Sequence, residues 1–195
     1  NQTPDPMIQN TQVLDMWNGT LQTAWEIPSG TMQITGGFHP YQRDLFAAEF
    51  TYSKKSDAFP FLVLQAVREI QVDYGTQLQG TMAPISQDPD LYVFKLSAGS
   101  AELVLQVRLE TIQGNACLQW QNDRLEIHLS SETGKFRIYL AASSPLRQDT
   151  AFKQLERFKQ EDFFRSSEEG WHRRWGTSDL FFDEKTVDTL FVRSV

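Results

Sequence analysis

Between Ala101 and Ala142 apolar and polar residues alternate in segments separated by compact turn signals. Leu103, Leu105, Val107 and Leu109 fall on one face, and Val104, Gln106, Arg108 and Glu110 on the other. That period of two belongs to a strand, not a helix. The pattern resumes at Leu118 and Trp120 after Gly114-Asn115, at Leu125, Ile127 and Leu129 after Asn122-Asp123, and at Phe136, Ile138 and Leu140 after Thr133-Gly134. Short turns join antiparallel neighbours, because a parallel return needs a crossover of about a dozen residues. The region therefore predicts a β-meander with one apolar face, and the rest of the chain must supply the sheet that covers it.

The N-terminal half carries the same period. Residues Asn1 to Asn10, polar and interrupted by Pro4 and Pro6, read as a loose lead-in. Strands are expected over Val13–Trp17, Thr20–Ile27, Thr31–Gly37 and Asp44–Tyr52, with turns at Pro28-Ser29-Gly30 and at His39-Pro40-Tyr41-Gln42. Gly36-Gly37 inside a strand pattern marks a bulge or a close backbone approach. Phe61 to Val72 reads as a strand, followed by strands over Gly75–Met82 and Leu91–Leu96; the two prolines and two aspartates between Pro84 and Asp90 read as a loop. About a dozen short strands thus precede Ser143, more than one small sandwich uses. The expected fold class is mainly β, a large antiparallel sandwich of two sheets.

After Ser143-Ser144-Pro145 the period changes. Phe152, Leu155 and Phe158 recur at helical spacing behind Asp149-Thr150, a helix N-terminus signal. Ser166 and Glu169 have the spacing of a capping box, and Trp171 and Trp175 lie at i, i+4 on the helix beyond it. A short extended piece, Asp179–Phe182, leads to a helix over Asp183–Val195 with Val187, Leu190 and Phe191 on one side. The chain divides into a sandwich, residues 1–145, and a helical linker, 146–195, whose last helix has an apolar stripe built to meet a further surface.

Composition narrows the function classes. With 18 basic and 25 acidic residues, formally -7, neither nucleic acid nor an anionic membrane surface is the expected partner. The apolar share of 40% and aromatic share of 12% suit a large interior or sugar stacking. Cys117, the single cysteine, excludes an intrachain disulfide and reads as a small buried hydrophobe. The apolar run from Phe59 to Leu64 is too short to span a bilayer. An opening Asn1-Gln2-Thr3-Pro4 without a start methionine is what an exported protein with its signal removed would show, and a periplasmic or extracellular location is the expectation.

Two stretches carry a family resemblance. One is Trp171-His172-Arg173-Arg174-Trp175-Gly176-Thr177-Ser178-Asp179-Leu180 with Val187-Asp188-Thr189-Leu190-Phe191-Val192-Arg193-Ser194; the other is Gly37-Phe38-His39-Pro40-Tyr41-Gln42-Arg43-Asp44-Leu45-Phe46-Ala47-Ala48. Together they resemble the N-terminal β-supersandwich of six-hairpin glycosidases and the tryptophan-rich linker helix that leads into their α/α toroid. The group includes the inverting phosphorylases of maltose, kojibiose and trehalose and the toroidal α-L-fucosidases. The resemblance implies that the catalytic carboxylates lie on the toroid, outside this chain, so the chain alone carries no catalytic residue and needs no cofactor. Its implied partner is a C-terminal catalytic toroid; the domain-interface residues are Trp171 and Trp175, expected to pack the linker against the sandwich or the barrel, and Val187, Leu190 and Phe191.

The residues themselves agree that no reaction centre is legible. Glycoside cleavage needs two opposed carboxyl groups roughly 5–10 Å apart. The acidic pairs Glu161-Asp162, Glu168-Glu169 and Asp183-Glu184 are adjacent residues of helical segments, which point about 100° apart. His39, His128 and His172 lack metal-ligand spacing, and no G-x-S-x-G or phosphate-loop motif occurs. Trp25 and Trp120 share faces with apolar neighbours, which leaves Trp17, beside Asn18-Gly19, as the tryptophan able to stack on an oligo- or polysaccharide. Two functions therefore stand beside each other. One is a non-catalytic scaffold domain of a glycoside hydrolase or phosphorylase; the alternative is a free-standing carbohydrate-binding module. A structural sandwich without a sugar connection is a third.

Overall fold

The computed structural model describes residues 9–42, 44–57, 62–65, 69–72, 76–147, 153, 155–158 and 161–176. The first four strands, β1 (Gln9–Asp15), β2 (Thr20–Ile27), β3 (Gly30–Phe38) and β4 (Leu45–Lys54), form successive antiparallel hairpins. β5 (Leu62–Leu64) and β6 (Glu69–Val72) follow, then β7 (Thr76–Asp88), β8 (Leu91–Ala98) and β9 (Ala101–Gln113). The last three are β10 (Ala116–Gln121), β11 (Arg124–Leu129) and β12 (Thr133–Ser143). Nine strands build one sheet in the order β1-β2-β3-β4-β12-β9-β8-β7-β6, and three build a second, β10-β11-β5. A 3-10 turn, Pro145–Arg147, precedes helical residues at 155–157 and the helix α1 (Phe163–Gly176).

The two faces of the large sheet are both covered, by different partners. On one face Ala48, Phe50, Tyr52, Val107, Leu109, Phe136 and Ile138 pack against Leu118, Leu125 and Ile127 of the small sheet. Phe94 and Phe136 are completely buried there, and burying a Phe side chain contributes roughly 1.5–3 kcal/mol. On the opposite face Leu45, Ala47, Tyr139 and Ala141 form a second core with Leu155, Phe158 and Phe163 of the helical segment. Period-two alternation explains the split, since Ile138 and Tyr139 are neighbours in β12 yet serve different cores.

Mainly β architecture with two antiparallel sheets and a C-terminal helical segment agrees with the expectation from sequence; several local readings do not. The expected four-strand meander is divided. β9 and β12 pair with each other, while the β10–β11 hairpin between them leaves the sheet and forms the covering layer with β5. The second sheet is thus supplied largely from within the region it covers. The departure is sharp at Gly114, whose φ is 77°, where a Cβ would lie 2.6 Å from the Thr133 carbonyl oxygen. The hairpin closes through Asn122 and Asp123, with φ of 51° and 58°, the two-residue turn that matches strand twist.

Phe61 to Val72 contains two strands in different sheets, not one. The loop expected from Pro84 to Asp90 is mostly strand: Pro84 sits at a register shift against β8, and among the described residues β6 pairs with β7 only over Thr76–Gln79, so no ladder donor is needed there. Gly36 and Gly37 mark close approach without a bulge: a Cβ on Gly37 would be 2.5 Å from the Gly19 carbonyl. Cys117 is exposed, since its neighbour Leu118 takes the inward position in β10. The Ser166–Glu169 capping box is also corrected. Helix α1 starts at Phe163, and the cap is Asp162, whose Oδ1 accepts from Arg165 N at 3.1 Å. The stretch Asp179–Phe182 and the helix expected over Asp183–Val195, with Val187, Leu190 and Phe191, lie outside the described residues.

Candidate functional site

Helix α1 meets the loop end of the large sheet, and Trp17, Trp171 and Trp175 come together there. Its contact side is built from Phe163, Ser167 and Gly170, all buried, with Trp171 and Trp175 beside them. The helix approaches closely at Gly170, where a Cβ would lie 2.6 Å from Pro40 Cγ. Trp171 Nε1 donates to Phe38 O at 3.1 Å, and Ser167 Oγ donates to the same carbonyl at 3.4 Å. Trp175 Nε1 donates to Met16 O at 2.9 Å. The two indoles stack at 6.0 Å between centroids, with the Arg174 guanidinium 5.6 Å over Trp171. Trp171 therefore ties the helix to the end of β3, and Trp175 ties it to the turn after β1.

The β1–β2 turn is shaped to receive them. Asp15 accepts from Asn18 N at 3.1 Å and from Asn18 Nδ2 at 2.7 Å, leaving Asn18 Oδ1 to accept from His172 Nε2 at 2.8 Å. The Trp17 ring lies 4.9 Å from the His172 ring and is 45% exposed. The exposed part of the Trp17 ring is thus bordered by Asn18 and His172, an apolar face beside polar groups.

The β3–β4 loop is organised by His39, 8% exposed. Its Nδ1 accepts from Tyr41 N at 3.2 Å and Gln42 N at 3.0 Å, and its Nε2 lies 3.2 Å from Ser166 Oγ. Those two donors fix the neutral ring as the tautomer protonated at Nε2, which donates to Ser166. A serine nucleophile needs the reverse, a ring nitrogen free to take the hydroxyl proton. The pair is structural, and burial first, then the Arg157 charge, hold the ring's pKa below its usual value against the opposing pull of Glu161.

A second polar locus lies on the same face, where β9 and β12 run under the helical segment. Arg108 is buried; its NH1 donates to Leu155 O, and its guanidinium sits 4.4 Å over the Tyr139 ring. Tyr139 OH donates to Glu110 Oε2 at 2.8 Å, and burial together with Glu110 pushes the phenol up to about 12. A cleft of about 420 Å³ opens beside it, lined by Asp90, Arg108, Glu110, Thr111 and Glu156. With Glu110 bound to Tyr139 and Arg108 bound to Leu155, these groups serve to anchor the helical segment. Among the described residues no group of three His, Cys, Asp or Glu is placed to hold a metal ion, and no helix is long and apolar enough to cross a membrane.

Sequence reasoning found the three tryptophans but missed His39 and Arg108. His39 stood in a turn without metal-ligand spacing, and its role depends on Ser166, 127 positions away. Arg108 sat on the face read as polar, which the helical segment covers.

No family model matches the chain, and no curated protein matches it. Among solved structures, one described as "Putative kojibiose phosphorylase from human microbiome" shares the fold with a TM-score of 0.64 at 11% sequence identity. The likeness covers 92% of this chain and 26% of that one, so the chain spans about a quarter of that neighbour's length. At this identity the likeness is one of fold: the two-sheet sandwich with its C-terminal helical segment is an architecture found as part of a longer chain.

Proposed function

We propose that this chain is the N-terminal β-supersandwich of a carbohydrate-active enzyme of the six-hairpin kind, acting as a non-catalytic scaffold. Its role is to seat helix α1 rigidly on the large sheet so that a catalytic α/α toroid following it is held in one orientation. The observation that carries this reading is the fold likeness over 92% of the chain to a quarter of a longer protein. Trp171 and Trp175 support it, because their indoles bind carbonyls at the end of β3 and in the turn after β1 and turn a helix into a fixed strut. In this reading Val187, Leu190 and Phe191 contact the toroid, and the protein is exported. The test is to incubate the chain with kojibiose, maltose and trehalose, with and without phosphate, and to measure released glucose and glucose 1-phosphate. The scaffold reading expects no turnover; turnover by the chain alone would overturn it.

A second reading, a carbohydrate-binding module, is favoured by one observation, the half-exposed Trp17 ring beside Asn18 and His172. Calorimetry with oligosaccharides discriminates the two. Binding that disappears in Trp17→Ala supports the module, and no heat with any glycan supports the scaffold.

A further inference from the structure

We propose that His39 is an acid-sensitive latch: a neutral imidazole holds helix α1 on the β3–β4 loop, and protonating it releases the helix. The ring sits at the centre of that contact. Its ring centroid lies 5.7 Å from that of Phe158 and 5.8 Å from that of Phe163, so aromatic side chains from the stretch before α1 and from α1 itself pack on it. Its own backbone N donates to Leu45 O at 3.1 Å, which fixes the loop to β4.

The hydrogen bonds make the neutral form a requirement. Nδ1 is held by two backbone donors, Tyr41 N and Gln42 N, and Nε2 by the Ser166 hydroxyl. A proton added at Nδ1 would point a third N–H into two others, leaving buried donors opposed with no acceptor. The loop then has to turn the ring outward. Ser166 loses its partner, the Pro40 carbonyl that binds Arg174 moves with the loop, and the helix, no longer seated, leaves the Phe38 carbonyl at the end of β3 that binds Ser167 and Trp171.

The charges around the ring do not offset this. The stretch before α1 presents Arg157 and Glu161, which are 2.7 Å apart and paired with each other. Asp162 at the start of α1 lies 3.7 Å from Arg137 of β12. On α1, Arg165 is set against Glu169, and Glu168 lies 3.9 Å from His172. Arg174 reaches the loop at the Pro40 carbonyl and adds positive charge. From the sheet, Leu45 and Ala47 are apolar and Tyr139 is a neutral phenol bound to Glu110. Among the described residues Glu161 is the charge that favours an imidazolium, and Arg157 opposes it.

The experiment follows the Trp171 Nε1–H, whose bond to Phe38 O exists only while the helix is docked. Its hydrogen-exchange protection factor is measured by NMR on the whole chain between pH 7.5 and 5.0, corrected for intrinsic exchange. Protection is expected to fall by about tenfold for each pH unit below the onset of protonation, the factor that follows from uptake of one proton. His39→Asn keeps an oxygen to accept the two loop amides and cannot titrate, so its protection should be flat. His172→Gln removes the other histidine at this contact and should leave the wild-type response unchanged. An equal response in His39→Asn, or its loss in His172→Gln, overturns the proposal. Should His39→Asn fail to fold, ring ¹⁵N shifts of the wild type decide the matter. The latch requires the Nε2-protonated tautomer at pH 7.5 and loss of protection coincident with ring protonation; the Nδ1-protonated tautomer overturns it.

Discussion

Gly19 leaves open the space that the Trp171 indole fills: a Cβ on Gly19 would overlap the ring at its Nε1 atom. Gly19 also has φ of 64°, in the left-handed region. The β1–β2 turn and helix α1, 152 positions apart in the chain, are therefore cut to fit each other. Replacing Gly19 by Ala is expected to cost more than about 2 kcal/mol, of which roughly 1–2 is the left-handed backbone and the rest displacement of the indole. A double-mutant cycle with Trp171→Ala checks it by urea unfolding. The clash component should vanish in the double variant, and strict additivity would refute the fit.

Arg108 joins the sheet to the helical segment through the Leu155 carbonyl and the Tyr139 ring. Arg108→Met keeps much of the side-chain volume but leaves that carbonyl without its donor, at a cost of roughly 2–3 kcal/mol. Limited proteolysis should cut between residues 147 and 163 earlier than in the wild type. Unchanged cleavage would mean that the second core alone holds the segment.

The acid limb of stability should carry a contribution from Glu126. Leu125 and Ile127 face the core, so Glu126 faces the other way, sheltered by Gln121, Arg124 and His128. Burial alone would raise its pKa; hydrogen bonds from Gln121 and Arg124, with the charges of Arg124 and His128, outweigh burial and hold the carboxyl below its usual value. The folded state then binds fewer protons than the unfolded state. Stability from this group is present above pH 4.5, the unfolded value, and is lost as pH falls through 4.5 towards the folded one. Glu126→Gln should flatten that part of a urea-unfolding profile between pH 3 and 6.

Asp162 caps α1 and lies near Arg137. Asp162→Ala should cost about 1 kcal/mol and Asp162→Asn only a fraction of it, because the amide oxygen still accepts from the third helical amide. Ser166→Ala should not shorten the helix, a result readable by circular dichroism that separates this cap from the one expected at Ser166.

The sequence alone determined where most strands run and which of their side chains share a face, because alternation is a local consequence of backbone geometry, while the ends of β1 and β7 and the break between β5 and β6 escaped it. It located the Asn122-Asp123 turn, the tryptophans of α1 and the close backbone approach at Gly37, each legible from residue type and immediate neighbours. Tertiary structure alone decided which strand pairs with which. Phe136 sits opposite Phe50 in β4 and Thr111 in β9, and no local pattern distinguishes those partners from the nearer β11. The same holds at the candidate site. His39 reads as a turn residue until Ser166 is brought to 3.2 Å, and Arg108 reads as a surface charge until Leu155 covers it. Period and propensity are written within a few residues, whereas pairing, burial and the protonation a buried ring can tolerate depend on contacts between distant parts of the sequence, which exist only once the chain has closed on itself.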